Sequence, residues 1–119
     1  MTVATAGAEP VALLRADGFV REIASHGVTL GIQTGEIYEN VTVLAELGDT
    51  ILMTTDGLTE ARRGRDFLGY DGVLAIATNH RDTTTLTEMG NAIVADARAF
   101  GGRFADDVCL VLVRCLKPA

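Results

Sequence analysis

Short apolar segments in the first half of the chain predict β-structure. Segments 11–15 and 19–23 flank an Asp-Gly pair, a frequent signature of a tight hairpin turn. Segments 2–6 and 39–46 are also typical of strands, and residues 50–55 form a compact apolar run suited to a strand buried on both faces. Residues 27–35 hold three glycines and predict a loop.

The second half changes to a helical pattern. Residues 67–79 predict one helix. A second helix is amphipathic, could be capped by Thr85 or Thr87, and ends at the pair of glycines 101–102. Its apolar stripe is spaced by three and four residues: Leu86, Met89, Ile93, Ala97 and Phe100. The closing segment 108–116 is almost wholly apolar, which predicts a central strand.

The order of elements and the composition together indicate one globular domain over residues 1–119. Several strands, then helices, then a final strand favour an α+β fold with an antiparallel sheet. A length of 119 residues allows one core, and a hydrophobic fraction of 48% argues against disorder. Ten basic residues against 16 acidic ones give a net charge of −6, which disfavours binding to nucleic acid.

Two further features bear on the compartment. No apolar run approaches the roughly 18 to 20 residues of a membrane-spanning helix, and the first ten residues lack the basic start of a secretory signal. Cys109 and Cys115 lie six positions apart in one predicted strand, which separates them by about 20 Å and prevents a disulfide between them. We therefore expect reduced cysteines and a cytoplasmic protein that does not bind membranes.

The residues best suited to chemistry are carboxylates at strand ends. Asp56 directly follows the run 50–55, and Asp106 and Asp107 directly precede the segment 108–116. If these strands are antiparallel neighbours, Asp56 and Asp106 converge at one edge of the core. Carboxylate oxygens close together suit Mg²⁺ or Mn²⁺. The alternative stays open, because Asp-Gly is a common turn and an Asp pair before a strand is often a solvated loop.

Other polar residues have plainer interpretations. Arg62, Arg63 and Arg65 form a small basic cluster that could bind a phosphate, although a solvated loop is the more usual context. His26 and His80 lie in segments typical of loops, where histidines are more often surface residues than ligands.

Several segments resemble one known family. Residues 48–61 (GDTILMTTDGLTEA) resemble the GD…YTDGVTEA segment of SpoIIE/RsbU-type serine phosphatases of the metal-dependent PPM class. In the same order, residues 4–7 (ATAG) resemble the NAGH strand end of the family, and residues 27–32 (GVTLGI) resemble GLPLGL. Residues 67–69 (FLG) resemble the FG that opens a helix, and residues 106–114 (DDVCLVLVR) resemble DDITLLVLR.

The resemblance implies a fold, a reaction and site residues. The implied fold is two antiparallel sheets packed together and flanked by helices. The implied centre holds two Mn²⁺ or Mg²⁺ ions and removes phosphate from phosphoserine or phosphothreonine. Asp56 and Asp106 stand at the positions of metal ligands, and Gly57 and Asp107 stand beside them. The implied substrate is a phosphorylated anti-sigma-factor antagonist protein, in partner-switching control of transcription.

The chain also departs from the family pattern. It resembles only the C-terminal half of the domain, and no segment resembles the motif that carries a further metal-bridging Asp. Ala8 replaces the histidine of NAGH, Thr29 a proline, and Cys109 a hydroxyl residue. Two hypotheses follow: a partial catalytic domain that is inactive alone, or a non-catalytic regulatory or binding module. Half of a sandwich leaves strands uncovered, so we expect a homodimer through an exposed sheet edge or face.

Overall fold

A computed structural model describes residues 1–24 and 27–117 of the chain. Within these residues the chain forms eight strands and three helices. In chain order they are β1 (Thr2–Val3), β2 (Val11–Leu14), β3 (Val20–Ile23), β4 (Val41–Thr42), β5 (Thr50–Thr54), α1 (Asp56–Thr59), β6 (Arg62–Arg63), β7 (Asp66–Phe67), α2 (Gly69–Asn79), α3 (Leu86–Gly101) and β8 (Leu110–Arg114).

A four-stranded antiparallel sheet organises the fold, in the order β3-β2-β5-β8. The predicted hairpin is confirmed, with Leu14 opposite Val20 across a turn in which Gly18 has a positive φ of 95°. Only glycine adopts such a φ without strain. The backbone N–H of Phe19 donates to Asp17 Oδ1 at 2.9 Å, which closes the turn. This pairing fixes which side chains of β2 face the helices.

Helices α2 and α3 cover one face of the sheet. Thr85 is the N-cap of α3, as one of the two predictions had it, and its Oγ1 accepts from the backbone N–H of Glu88 at 3.2 Å. The apolar stripe of α3 is buried against the sheet, which confirms its amphipathic pattern. The core on this face has no exposed surface at Ala12, Leu52, Leu58, Val73, Ala77, Met89, Ile93 and Ala97.

The opposite face of the sheet is only half covered. A two-stranded ribbon of β1 and β4 lies over β2 and β3, and the second core there comprises Val11, Leu13, Ile23 and Val43. Over β5 and β8, Met53, Val111 and Val113 remain 39%, 41% and 45% exposed. The architecture is thus the predicted α+β fold with antiparallel sheets, and its second sheet layer is small. We call the exposed part over β5 and β8 the open face.

Several sequence predictions need correction. The final strand is an edge strand rather than a central one, and its side chains alternate between half-buried and exposed. The run 50–55 is not buried on both faces, because Met53 lies on the open face. An apolar run cannot distinguish a strand covered on both sides from one covered on one side. Segments 2–6 and 39–46 shorten to strands of two residues, and Asp56-Gly57 begins α1 rather than a plain turn.

The helices are short relative to a lipid bilayer. Among the described residues, no helix combines the length and the apolar character needed to cross a membrane.

Candidate metal centre

The carboxylates Asp56 and Asp106 lie at the same end of the central sheet. Thr54 of β5 pairs with Leu110 of β8, so the chain leaves β5 beside the point where it enters β8. The backbone N–H of Thr55 donates to the carbonyl of Cys109 at 3.0 Å, and Thr55 Oγ1 accepts from the Cys109 N–H at 2.9 Å. The strand pairing assumed from the sequence is therefore present. That the two carboxylates bind a metal stays a prediction.

Gly57 allows the two segments to approach closely. It is buried, and a Cβ built on it would overlap the carbonyl oxygen of Asp107 and lie 3.4 Å from that of Asp106. A residue with a side chain at this position would push α1 away from the segment that precedes β8. The absence of a side chain at Gly57 thus sets how closely Asp56 can approach the Asp106-Asp107 pair.

The three aspartates at this end are free to accept a cation. Asp56, Asp106 and Asp107 are exposed, and no ion pair joins them to a basic residue in the described part of the chain. The backbone N–H of Asp107 donates to Asp106 Oδ1 at 2.7 Å, which orients that carboxylate. Hard, anionic oxygen donors are the ligands that Mn²⁺ and Mg²⁺ prefer. The carboxylates at this end are therefore of a chemical type that suits such an ion.

The carboxylates border two different cavities. Asp56 lines one of about 420 Å³, together with Gly7, Ala8 and Thr55. Asp106 and Asp107 line a groove of about 660 Å³ beside α3. Across residues 1–24 and 27–117, no three His, Cys, Asp or Glu side chains lie close enough together to hold a metal ion.

Glu9 is an acid at this end that the sequence patterns did not single out. Its Oε1 accepts a hydrogen bond from Thr59 Oγ1 at 3.0 Å, which links the segment before β2 to α1. Glu9 also lines the cavity that contains Asp56. The sequence could have pointed to Glu9 through its position, because it follows Ala8 and lies two residues after the segment 4–7 that resembles a strand end of the family.

The basic cluster lies on a hairpin rather than in an irregular loop. Strands β6 and β7 pair Arg62 with Phe67, and Gly101 of α3 packs against the backbone of Arg62. Three guanidinium groups stack over phenylalanine rings, with Cζ to centroid distances of 5.8 Å for Arg62 and Phe67, 4.8 Å for Arg63 and Phe100, and 5.4 Å for Arg98 and Phe104. All of these arginines are exposed. Cation–π contacts hold them in place.

The structure describes one of the two histidines and both cysteines. His80 Nε2 lies 2.7 Å from Asp96 Oδ2, in a contact that links the end of α2 to α3. His26 lies outside the described residues. Cys109 and Cys115 are free cysteines that flank β8.

A different, buried carboxylate lies at the opposite end of β5. Asp49 is 2% exposed, and its oxygens accept from the backbone N–H of Glu46 at 2.8 Å and of Ala16 at 3.2 Å, and from Arg15 Nη1 at 2.7 Å. Burial alone would raise the pKa of Asp49, but these three hydrogen bonds and the charge of Arg15 outweigh it and hold the pKa below its usual value. The sequence pattern indicated only a turn here.

Comparisons with known proteins bear on the whole chain. The family model described as Stage II sporulation protein E (SpoIIE) matches residues 1–116. The RsbU and RsbW domains of Rv1364c from Mycobacterium tuberculosis superpose with a TM-score of 0.80 at 26% identity, covering 99% of this chain and 33% of that one. No sequence match was found among curated proteins.

Two more distant structures share the fold. The PP2C phosphatase domain of SpoIIE from Bacillus subtilis gives a TM-score of 0.73 at 19% identity, over 96% of this chain and 33% of that one. The SiaA-PP2C domain of Pseudomonas aeruginosa gives 0.69 at 23% identity, over 90% of this chain and 44% of that one. The chain thus spans between 33% and 44% of the length of these three structures.

Proposed function

The chain belongs to the SpoIIE family of PPM phosphatase domains, and from this we propose that it supplies part of a metal-dependent centre that hydrolyses phosphoserine or phosphothreonine in a protein. The observation that carries the proposal is the junction of β5 and β8. There, Asp56 and the Asp106-Asp107 pair are exposed and form no ion pair with a basic residue in the described part of the chain. Gly57 has no side chain, so α1 can lie close to the Asp106-Asp107 segment.

We assign Asp56 and Asp106 as metal ligands, and Gly57 and Asp107 as the residues that position them. When bound, Mn²⁺ or Mg²⁺ would supply Lewis-acid activation of water and would offset the charge of a phosphate group. The chain's own residues hold the two carboxylates at one edge and orient Asp106 through the Asp107 N–H. Since fewer than three suitable side chains cluster in the described part, we infer that further ligands come from another segment or another chain.

The surroundings of this end suit a phosphorylated protein as substrate. Arg62 and Arg63 of the β6–β7 hairpin and Arg98 of α3 are held on phenylalanine rings and have no carboxylate partner among the described residues. Guanidinium groups in this state can pair with phosphate or acidic side chains. The similar mycobacterial protein carries an RsbU domain beside an RsbW domain. We therefore propose partner switching as the context and a phosphorylated anti-sigma-factor antagonist as the substrate.

The test compares the chain alone with a fusion that restores a full-length domain. The fusion joins the chain to the N-terminal part of the mycobacterial RsbU domain that it does not match. We expect no hydrolysis of a phosphoserine peptide by the chain alone and Mn²⁺-dependent hydrolysis by the fusion. Asp56→Asn and Asp106→Asn should each abolish the activity, whereas Asp17→Asn, a turn residue at the opposite end of the sheet, should retain it. Hydrolysis that survives both substitutions would refute the assignment.

A non-catalytic module is the second candidate function. Ala8 and Cys109, which stand where the family pattern has a histidine and a hydroxyl residue, favour it. This reading predicts that the fusion folds and binds a phosphorylated partner but neither binds Mn²⁺ nor releases phosphate. Isothermal titration with Mn²⁺ distinguishes the two functions before any substrate is known.

We also propose that two copies of the chain pair along β8. Cys109 and Cys115 bond to the β5 side, so by alternation the N–H and C=O groups of Leu110, Leu112 and Arg114 point to the free edge. With a two-fold axis at Leu112, the outward N–H and C=O groups of these three residues would hydrogen-bond to those of a second copy. Arg114 would then face Leu110 of the other copy, so no like charges meet, and the two open faces would become continuous.

The cysteines give this pairing a direct test. In the proposed register Cys109 faces Cys115 of the second copy in a non-hydrogen-bonded pair, where Cα atoms are about 4.5 Å apart and a disulfide can form. Mild oxidation should yield a dimer linked between these two positions. Val113→Lys on the open face should weaken the dimer in sedimentation, whereas Leu30→Lys, in an exposed loop, should not. A monomer at micromolar concentration would refute the pairing.

A further inference from the structure

Three arginines surround a cavity at the end of the sheet opposite the candidate metal centre. The cavity has a volume of about 240 Å³ and lies between the start of β5, the end of β8 and the segment that joins α2 to α3. Arg15, Arg81 and Arg114 line it, with the hydroxyl residues Thr50 and Thr83.

One buried donor of Arg81, a residue that lines this cavity, has no acceptor among the described residues. Arg81 Nε is buried and makes no hydrogen bond to the described residues, whereas Arg81 Nη1 donates to the carbonyl of Thr78 at 3.1 Å. Gly18 of the β2–β3 turn covers the same guanidinium, with its built Cβ 3.4 Å from Arg81 Cζ. A buried N–H without a partner is unusual in folded proteins and often marks a missing water molecule or ion.

The charge of the arginines is also incompletely balanced. Arg114 donates to Thr50 Oγ1 at 3.2 Å and to the carbonyls of Thr83 at 3.1 Å and Arg81 at 3.4 Å, all of which are neutral acceptors. Within the described part of the chain, Arg15 alone of the three has a carboxylate partner, Asp49 at 2.7 Å. Asp82 also borders the cavity, but it is exposed and forms no ion pair within residues 1–24 and 27–117.

We propose that this cavity binds a small oxyanion of the phosphate class, with Arg81 as its principal ligand. A partly buried positive charge is costly unless an anion balances it, and a guanidinium offers paired N–H donors that match a tetrahedral oxyanion. The site is separate from the candidate metal centre, because Thr50 and Arg114 lie at the far ends of β5 and β8 from Thr54 and Leu110. Free anions and phosphoryl groups on larger molecules share this chemistry.

The test titrates the metal-free chain with inorganic phosphate, against sodium chloride of equal ionic strength. We expect a saturable rise of several degrees in melting temperature with phosphate and none with chloride. In ¹⁵N-edited NMR spectra of the wild-type chain, the Arg81 Nε–H signal should shift along the same binding curve. O-phosphoserine in a parallel titration distinguishes a site for free phosphate from one that accepts a phosphoryl group on a side chain.

Variants identify the ligand. Arg81→Gln should weaken phosphate binding by about 10- to 100-fold, as the loss of hydrogen bonds from a charged donor implies. Arg81→Lys keeps the positive charge but loses the paired N–H donors of the guanidinium, and should bind phosphate with intermediate affinity. Arg103→Gln, at an exposed arginine near the end of α3, should bind as the wild type does. The proposal is overturned if the wild-type Arg81 signal does not respond to phosphate, or if Arg81→Gln and Arg103→Gln bind phosphate alike.

Discussion

The two ends of the β5–β8 strand pair differ in both charge and burial. At one end Asp56, Asp106 and Asp107 are exposed and have no cationic partner in the described part of the chain. At the other end Arg114 and the buried Asp49 are held by short hydrogen bonds to backbone and side chains. The same two strands therefore carry a bonded end, whose Asp49 and Arg114 are hydrogen-bonded to their neighbours, and an acidic end, whose carboxylates have no cationic partner among the described residues.

This difference distinguishes the residues that stabilise the fold from the residues that are available for function. Polar groups that are bonded inside the protein are costly to remove, because their partners are left unsatisfied. Exposed carboxylates without partners can be neutralised at little cost in stability. We therefore expect substitutions of the hydrogen-bonded Asp49 and Arg114 to destabilise the chain, and substitutions of the exposed carboxylates at the acidic end to spare the fold while removing metal binding.

The largest effect is expected for Arg114→Ala at the bonded end. It removes the hydrogen bonds to Thr50, Thr83 and Arg81 and leaves partly buried carbonyls without a donor. We expect a loss of about 3 kcal/mol in the free energy of unfolding, measured by urea denaturation. The control Arg103→Ala, at an exposed arginine near the end of α3, should change it by less than about 0.5 kcal/mol. Equal effects would remove the basis for calling this end structural.

Asp49→Asn should lower the free energy of unfolding by less, about 2 kcal/mol at neutral pH. Of the three donors that bond to the Asp49 carboxylate, only Arg15 is charged. The pKa of Asp49 is lowered in the folded chain, so its contribution is complete above the unfolded value of about 3.9 and is lost as the pH falls through the folded pKa. Below about pH 4, the free energy of unfolding of the wild type should thus no longer exceed that of Asp49→Asn. A difference that is constant with pH would contradict the assignment.

Gly57→Ala should have a moderate effect on the fold and a large one on the site. Its Cβ would overlap the carbonyl of Asp107, so the Asp106-Asp107 segment must move away from α1. We expect about 1–3 kcal/mol of destabilisation, the range for overpacked positions, together with loss of Mn²⁺ binding although no ligand is changed. Gly90→Ala within α3, where a Cβ would make only an ordinary contact of 3.7 Å with Leu112 Cδ1, controls for the loss of a helical glycine without overlap. Retained Mn²⁺ binding in Gly57→Ala would show that the close approach is not needed.

The sequence predicted the elements better than their surroundings. Hairpin β2–β3, the capped helix α3 and the strands β5 and β8 follow from local patterns. The pairing of β5 with β8, which brings Asp56 and Asp106 to one end of the sheet, was an assumption that the structure confirms. The edge position of β8 could not be predicted, because an apolar run has the same sequence pattern in an edge strand as in a central one. Asp49 and Glu9 were missed for a related reason: their hydrogen-bond partners, Arg15 and Thr59, lie 34 and 50 residues away.

The smallest expected effect on stability, and the most direct test of the central claim, comes from neutralising Asp56 and Asp106. Mn²⁺ binding to the chain can be followed by loss of the electron paramagnetic resonance signal of the free ion, in the wild type and in the Asp56→Asn, Asp106→Asn and Asp17→Asn variants. The account predicts weak, saturable binding in the wild type and in Asp17→Asn, its loss in the other two, and unfolding free energies within about 0.5 kcal/mol of each other. Equal Mn²⁺ binding in all four proteins, or none in the wild type, would contradict a metal site at this end of the sheet.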